Sequence, residues 1–177
     1  MTETSTSVRD GTAGGRPRLL VVGTGSELRC DDAVGRHVAS EIAAQGFADV
    51  EVLGVPQLTP ELAADLEGRE LVIFVDAAVD VDTVTVRRVS CGTASASTHH
   101  LDPAGLLRLA EVLEWAPRTV LAVHVPVHDL GLGTELSPPG RAVAVRAAEI
   151  VADLLAAALA EPSPTSGRAE VQVSGSA

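Results

Sequence analysis

Short apolar runs and amphipathic stretches alternate through the middle of the chain. Four runs rich in Val, Leu and Ile predict strands that are buried on both faces of a sheet. These runs are residues 18–22, 50–55, 70–75 and 119–125. Polar and apolar residues alternate within residues 79–89, which predicts a half-exposed edge strand.

Apolar residues also recur at helical spacing between these runs. Val34, Val38 and Ile42 fall on one helical face, and Gly46 is suited to end that helix. Further helices are expected at residues 59–66, 102–113 and 141–160. The alternation of strands and helices predicts an α/β fold, a three-layer α/β/α arrangement with a mostly parallel, twisted sheet of about five strands.

The two ends of the chain lack this periodicity. Residues 1–16 and residues 161–177 are rich in Ser, Thr, Gly and Pro, and we expect both to be disordered tails. A single domain is therefore expected over residues 17–160.

Composition narrows the classes of partner. The chain has 177 residues, with 13 basic and 24 acidic residues, and its net charge of −11 argues against nucleic acid and anionic membranes as partners. No signal peptide and no membrane-spanning run is visible, so we expect a cytoplasmic protein, and we expect a monomer. The two cysteines, Cys30 and Cys91, form neither a metal-binding spacing nor a disulfide framework.

The loop after the first predicted strand carries paired acids, Asp31 and Asp32. One acid is expected to cap the following helix, because a carboxylate before Ala33 accepts backbone N–H groups. Two adjacent acids exceed what a cap needs, so the other is a candidate ligand or catalytic group. Cys30 is a poor candidate nucleophile, because neighbouring acids disfavour its thiolate.

Further candidates follow other strands. Asp76 comes directly after the apolar run 71–75, and carboxyl ends of parallel strands meet at one rim of the sheet. His99 and His100 precede a predicted helix that returns to this rim. Two carboxylates and an imidazole suit a divalent transition metal such as nickel or zinc, or acid–base chemistry. His124 follows a strand and is either a rim or a core residue without a role.

The remaining histidines and the glycine motif are weaker indications of function. His37 and His128 are expected at the surface. Gly23-Thr24-Gly25 begins like a dinucleotide-binding motif, but Leu28 stands where its third glycine belongs, and the paired acids would repel a pyrophosphate. Nucleotide binding is therefore a weaker interpretation than metal binding.

Four motifs in order resemble the hydrogenase maturation proteases, endopeptidases that process the large subunit of nickel-iron hydrogenase. They are GTGSELRCDDAVG at residues 23–35, VIFVDA at residues 72–77, STH at residues 97–99 and GLGTELSP at residues 131–138. The resemblance extends over about residues 18–155. Ser26 stands where the family usually has Asn.

The resemblance implies a site and a reaction. Metal contacts carry over onto Asp32, Asp76 and His99, with His100 as the alternative to His99, and Asp31 matches the neighbouring acid. The implied substrate is a hydrogenase large-subunit precursor that already carries nickel, from which a C-terminal extension is removed. Asp32 or Asp76 is then the expected general base, and no organic cofactor is implied. The alternative function is a non-catalytic module of α/β fold that binds or delivers a metal.

Overall fold

A five-stranded sheet organises the molecule. The computed structural model describes residues 16–91 and 101–161. The strands are β1 (Leu19–Thr24), β2 (Val50–Val55), β3 (Leu71–Ala78), β4 (Thr85–Arg88) and β5 (Thr119–Pro126). Their order is β2-β1-β3-β5-β4, with β4 antiparallel to β5 and the other neighbours parallel. The predicted mostly parallel sheet is confirmed.

Helices cover both faces of this sheet. They are α1 (Val34–Gln45), α2 (Pro103–Val112) and α3 (Pro138–Ala160), with short 3-10 helices at Cys30–Ala33 and Pro60–Leu66. One apolar core joins the sheet to α1 and α3, and a second core on the other face joins it to α2 and Pro60–Leu66. The three-layer prediction is confirmed. No helix in the described residues is long and apolar enough to cross a membrane.

The helix ends follow local chemistry. Gly46 ends α1 in a left-handed conformation with φ of 66°, as its position predicted. Asp102 begins α2, and its side chain accepts a hydrogen bond of 2.7 Å from the Gly105 N–H. Ser137 does the same for α3, accepting a 3.0 Å bond from the Gly140 N–H.

Three elements have a boundary that differs from the prediction by three residues or more. β3 does not stop at Asp76 but continues to Ala78, because its pairing with β5 continues past the apolar run. The edge strand expected over residues 79–89 is confined to Thr85–Arg88, the stretch that pairs with β5. α3 begins at Pro138, which fits the first helical turn because no N–H is needed there. Apart from Arg16 and Glu161, the two predicted tails lie outside the described residues.

The strand order defines where a site is expected. The chain leaves β1 for β2 on one side and then returns to β3 on the other side of β1. In sheets of this kind, a crevice is expected at the carboxyl ends of the two strands where the connections diverge, here β1 and β3. The loop after β1 and the end of β3 both reach this crevice.

Candidate active site

Glycines bring the acidic loop close to the end of β1. Gly25 has a φ of 136°, and a Cβ there would lie 1.8 Å from the backbone oxygen of Asp32. A Cβ on Gly35 would similarly lie 2.3 Å from the backbone oxygen of Val75 in β3. Both positions therefore require glycine, because any side chain would push the loop and α1 away from the strands. This close backbone packing accounts for the glycine motif without a bound phosphate.

Asp32 is held at the rim by its own loop. The N–H of Ser26 donates a 2.9 Å hydrogen bond to Asp32 Oδ2. The side chain is half-buried, and Oδ1 accepts no hydrogen bond from the described residues. Asp32 thus presents a carboxylate that is fixed in position but not enclosed.

Asp76 lies on the other side of the crevice, at the exposed end of β3. The Thr24 hydroxyl donates a 2.5 Å hydrogen bond to Asp76 Oδ1, and the Ala77 N–H donates another at 3.0 Å. Across the sheet, Asp76 is in register with His124 of β5. The carboxylate is therefore anchored by Thr24 of the neighbouring strand β1 and by the backbone of Ala77.

The pKa of Asp76 is raised above its ordinary value. Loss of hydration at the crevice is the main cause, and the negative charge of Asp32 adds to it. The bonds from Thr24 and Ala77 and the neighbouring His124 oppose the shift without cancelling it. Although part of Asp76 is open to solvent, the protein packed around its carboxyl disfavours the ionised form. Thr24 bonds Asp76 and Ser26, two residues further on, bonds Asp32, so the two acids lie in one local site.

Two of the three expected metal contacts are therefore brought together. Asp32 and Asp76 flank the same crevice, whereas His99 and its alternative His100 lie outside the described residues. In residues 16–91 and 101–161, no group of three His, Cys, Asp or Glu side chains is placed to hold a metal ion. The two carboxylates supply oxygen ligands for a divalent ion, or an acid–base pair for hydrolysis.

Asp31 has a different environment from its neighbour. It is fully buried, and its carboxylate accepts bonds from the N–H groups of His128, Asp129 and Ser137 at 3.0, 3.0 and 2.7 Å. The Ser137 hydroxyl donates a fourth at 2.8 Å. Burial alone would raise the pKa of Asp31, but these bonds outweigh it and lower the pKa. Asp31 therefore joins the first loop to the loop before α3.

The expected helix cap is wrong in this detail. α1 begins after Ala33 without a side-chain cap, so neither acid caps the helix that follows it. Asp31 instead meets the start of α3, where a Cβ on Gly140 would lie 2.2 Å from Asp31 Oδ1. The positive end of a helix dipole does stabilise this acid, but the helix is a distant one.

Solved structures with the same architecture were found by comparison. The hydrogenase maturating endopeptidase HybD from E. coli is 24% identical, with a TM-score of 0.67 over 80% of this chain and 93% of that chain. The [NiFe] hydrogenase maturation protease HycI from Thermococcus kodakarensis is 23% identical, with a TM-score of 0.66 over 80% and 94%. The hydrogenase 2 maturation peptidase from a Thaumarchaeota archaeon is 25% identical, with a TM-score of 0.60 over 78% and 98%.

This chain has the fold of the hydrogenase maturation proteases. The resemblance predicted from four motifs is confirmed by these structures. No protein-family model and no curated protein matches the sequence. Nearly the whole length of each structural relative is covered, so the shared region is the complete domain of those proteins.

Within this maturation-protease fold, the surroundings of Cys30 favour the protonated thiol, which is a poor nucleophile. Its pKa is raised, first by loss of hydration and then by the charges of Asp129 and Asp31. The Cys30 N–H donates to the backbone oxygen of Gly133 at 3.0 Å, and a Cβ on Gly133 would lie 2.7 Å from the Cys30 sulfur. The sequence-based argument against this cysteine holds, and its role is packing between the two loops.

Three of the five histidines lie in the described residues, at positions consistent with the sequence. His37 and His128 are exposed, as expected. The backbone N–H of His128 donates a hydrogen bond to Asp31, but its side chain faces solvent. His124 is half-buried at the rim beside Asp76 rather than in the core.

Sequence reasoning missed two polar residues around the acids. Thr24 bonds Asp76, and Ser137 bonds Asp31 while capping α3. Ser137 carried a usable signal, because Ser followed by Pro is typical of a helix start. Thr24 carried none beyond its place at the end of a strand.

Proposed function

We propose that this protein is an endopeptidase that removes a C-terminal extension from the nickel-loaded large-subunit precursor of a nickel-iron hydrogenase. The observation that carries the proposal is the proximity of Asp32 and Asp76 at the carboxyl ends of β1 and β3, where Ser26 and Thr24, two residues apart, hold the two carboxylates. The maturation-protease fold supports the same reaction class. The cytoplasmic location and monomeric state stay predictions.

The electrostatics of Asp32 and Asp76 explain why a metal in the substrate would be recognised. Two neighbouring carboxylates repel each other, and the raised pKa of Asp76 records that cost together with its lost hydration. A divalent ion brought by the precursor offsets both the repulsion and the lost hydration, because its charge favours the ionised form of each acid. We therefore propose that Asp32, Asp76 and His99 contact the nickel of the substrate. A precursor without nickel leaves the repulsion uncompensated.

Hydrolysis needs a general base beside the scissile bond. We propose that Asp32 or Asp76 accepts a proton from the attacking water as its oxygen adds to the peptide carbonyl, and then returns that proton to the nitrogen as the C–N bond breaks and the amine leaves. Asp32 is suited to this role because only one of its oxygens is bonded to its own loop. Asp76 is suited because its raised pKa lies closer to neutral pH than that of an ordinary aspartate.

The test compares nickel-loaded and nickel-free precursor from the same genome. We expect the wild-type protein to reduce the mass of the loaded large subunit only, and Asp76→Asn to abolish this loss while circular dichroism is unchanged. Asp153→Asn, on the exposed side of α3, is the matched control and should process normally.

Other results of the precursor assay would contradict one part of the proposal or favour the alternative function. No mass loss with loaded precursor contradicts the proposed protease, and equal loss from both precursors contradicts nickel reading. Stoichiometric nickel binding by the isolated protein without any processing would favour the metal-delivery module instead.

A further inference from the structure

The free edge of β2 has backbone groups that face outward. β2 ends the sheet and pairs only with β1 among the described strands. The backbone oxygens of Asp49 and Val55 accept bonds from β1 and its loop, from the N–H groups of Leu19 and Gly25, both at 3.2 Å. Because successive residues of a strand face opposite edges, Val50, Val52 and Gly54 direct their N–H and C=O groups away from β1.

These residues also line a groove. Its upper part has a volume of about 500 Å³ and its lower part about 200 Å³, and the two parts share Ala43 and Val52. Gly54 lies in the upper part and Val50 in the lower part. The groove between α1 and β2 therefore follows the free edge along the strand.

The upper end of the groove reaches the acidic loop. It is lined there by Glu27 and Leu28, and 65% of Leu28 is exposed. The Leu28 N–H donates to the hydroxyl of Ser26, the residue whose own N–H holds Asp32. A chain lying in the groove is thus led toward the carboxylates.

The edge lacks the features that usually prevent strand addition. β2 reads VEVLGV, with no proline or lysine, and its one charge, Glu51, forms an ion pair with Arg69. A Cβ on Gly54 would meet only the side chain of Arg36, at 3.8 Å, so the space above this residue is open. An extended polypeptide is the partner that supplies hydrogen-bonding groups at strand spacing.

We propose that an extended segment of the large-subunit precursor binds as an additional strand along the edge of β2. This inference rests on the proposed function and names the surface that holds its substrate. The segment pairs with Val50, Val52 and Gly54, and an apolar side chain near its upper end contacts Leu28. It leaves the groove beside Asp32, where the scissile bond is presented.

Gly54→Val tests the groove without weakening the fold. Valine favours strand geometry, and its side chain meets no backbone at this position, so the melting temperature should be equal or higher. Its bulk fills the groove, and we expect KM for the loaded precursor to rise about tenfold with kcat nearly unchanged. Arg87→Val, on the opposite edge strand β4, is the control and should leave KM unchanged. An unchanged KM for Gly54→Val would overturn the proposal.

Amide hydrogen exchange provides a readout that does not depend on cleavage. Adding a saturating concentration of nickel-free precursor, which we expect not to be cleaved, to the wild-type protein should slow exchange of the Val52 and Gly54 amides and leave β4 amides unaffected. Absence of this protection overturns the groove assignment whatever the cleavage assay shows. Protection that grows with protein concentration without precursor assigns the edge to a second copy and also overturns it. Failure of the wild-type protein to cleave any precursor counts against the proposed function alone, because protection is measured separately.

Discussion

Replacing Asp31 or Asp32 by alanine should separate stability from activity, although the two acids are adjacent. Asp31→Ala removes an acceptor of four hydrogen bonds from a site with no solvent exposure. Each buried donor left unpaired costs about 1–3 kcal/mol, but partial rehydration of the loosened loop limits the sum. We expect a loss of about 3–5 kcal/mol in the free energy of unfolding, similar to breaking a buried charge pair.

That loss is measurable by thermal and urea unfolding. At about 2.1 cal/mol/K per residue, a domain of about 140 residues should melt about 10–17 °C lower. Asp32→Ala removes one acceptor of a single backbone N–H at the rim, so its unfolding free energy should change by less than about 1 kcal/mol. Processing of loaded precursor should nevertheless be abolished in Asp32→Ala.

The pH dependence of this difference has a definite sign. The pKa of Asp31 is lowered in the folded protein, so its stabilising effect is complete above the unfolded pKa of about 3.9 and is lost as pH falls through the lower folded value. The difference in the free energy of unfolding between wild type and Asp31→Ala should therefore become smaller only under acid conditions. Equal stability of Asp31→Ala and wild type at neutral pH would refute this account, as would a larger loss in Asp32→Ala.

Three further predictions concern residues near these acids. Gly140→Ala should lower the free energy of unfolding by about 1–3 kcal/mol in urea titrations, because its Cβ would lie 2.2 Å from Asp31 Oδ1, and unchanged stability would contradict the contact. Thr85→Val should raise it by about 1 kcal/mol, because the buried Thr85 hydroxyl has no hydrogen-bond partner in the described residues, and a destabilised variant would show that it has one. Asp32→Asn should lower the raised pKa of Asp76, followed by carbon NMR of its carboxyl, because a neighbouring negative charge is removed, whereas an unchanged pKa would mean that the two acids do not interact.

Much of the fold could be predicted because burial leaves a pattern in the sequence. Strands covered on both faces are continuous apolar runs, and the predicted strand at residues 50–55 has the same bounds as β2. Boundaries at the rim were less predictable. β3 continues through Asp76, because the carboxyl end of a strand accepts polar residues where one face is open.

The candidate site was only partly predictable for a geometric reason. Strand ends converge at one rim, and this rule, together with the paired acids and the family resemblance, selected Asp76 and the acidic loop. The different roles of Asp31 and Asp32 do not follow from it. Consecutive residues in a 3-10 turn point about 120° apart, so one acid faces inward and the other faces the crevice. The partners of Asp31 lie 97 to 106 residues further along the chain, beyond any local pattern.

Recognition of the precursor rests on the proposed contact of Asp32 and Asp76 with its nickel. Nickel-edge X-ray absorption of freeze-quenched mixtures tests it most directly, because the spectrum reports the atoms bound to nickel. We predict that wild-type protein adds oxygen or nitrogen ligands to the nickel of the loaded precursor, and that Asp76→Asn reduces this change. A nickel spectrum identical to that of the precursor alone, in a mixture where processing is under way, would contradict the claim.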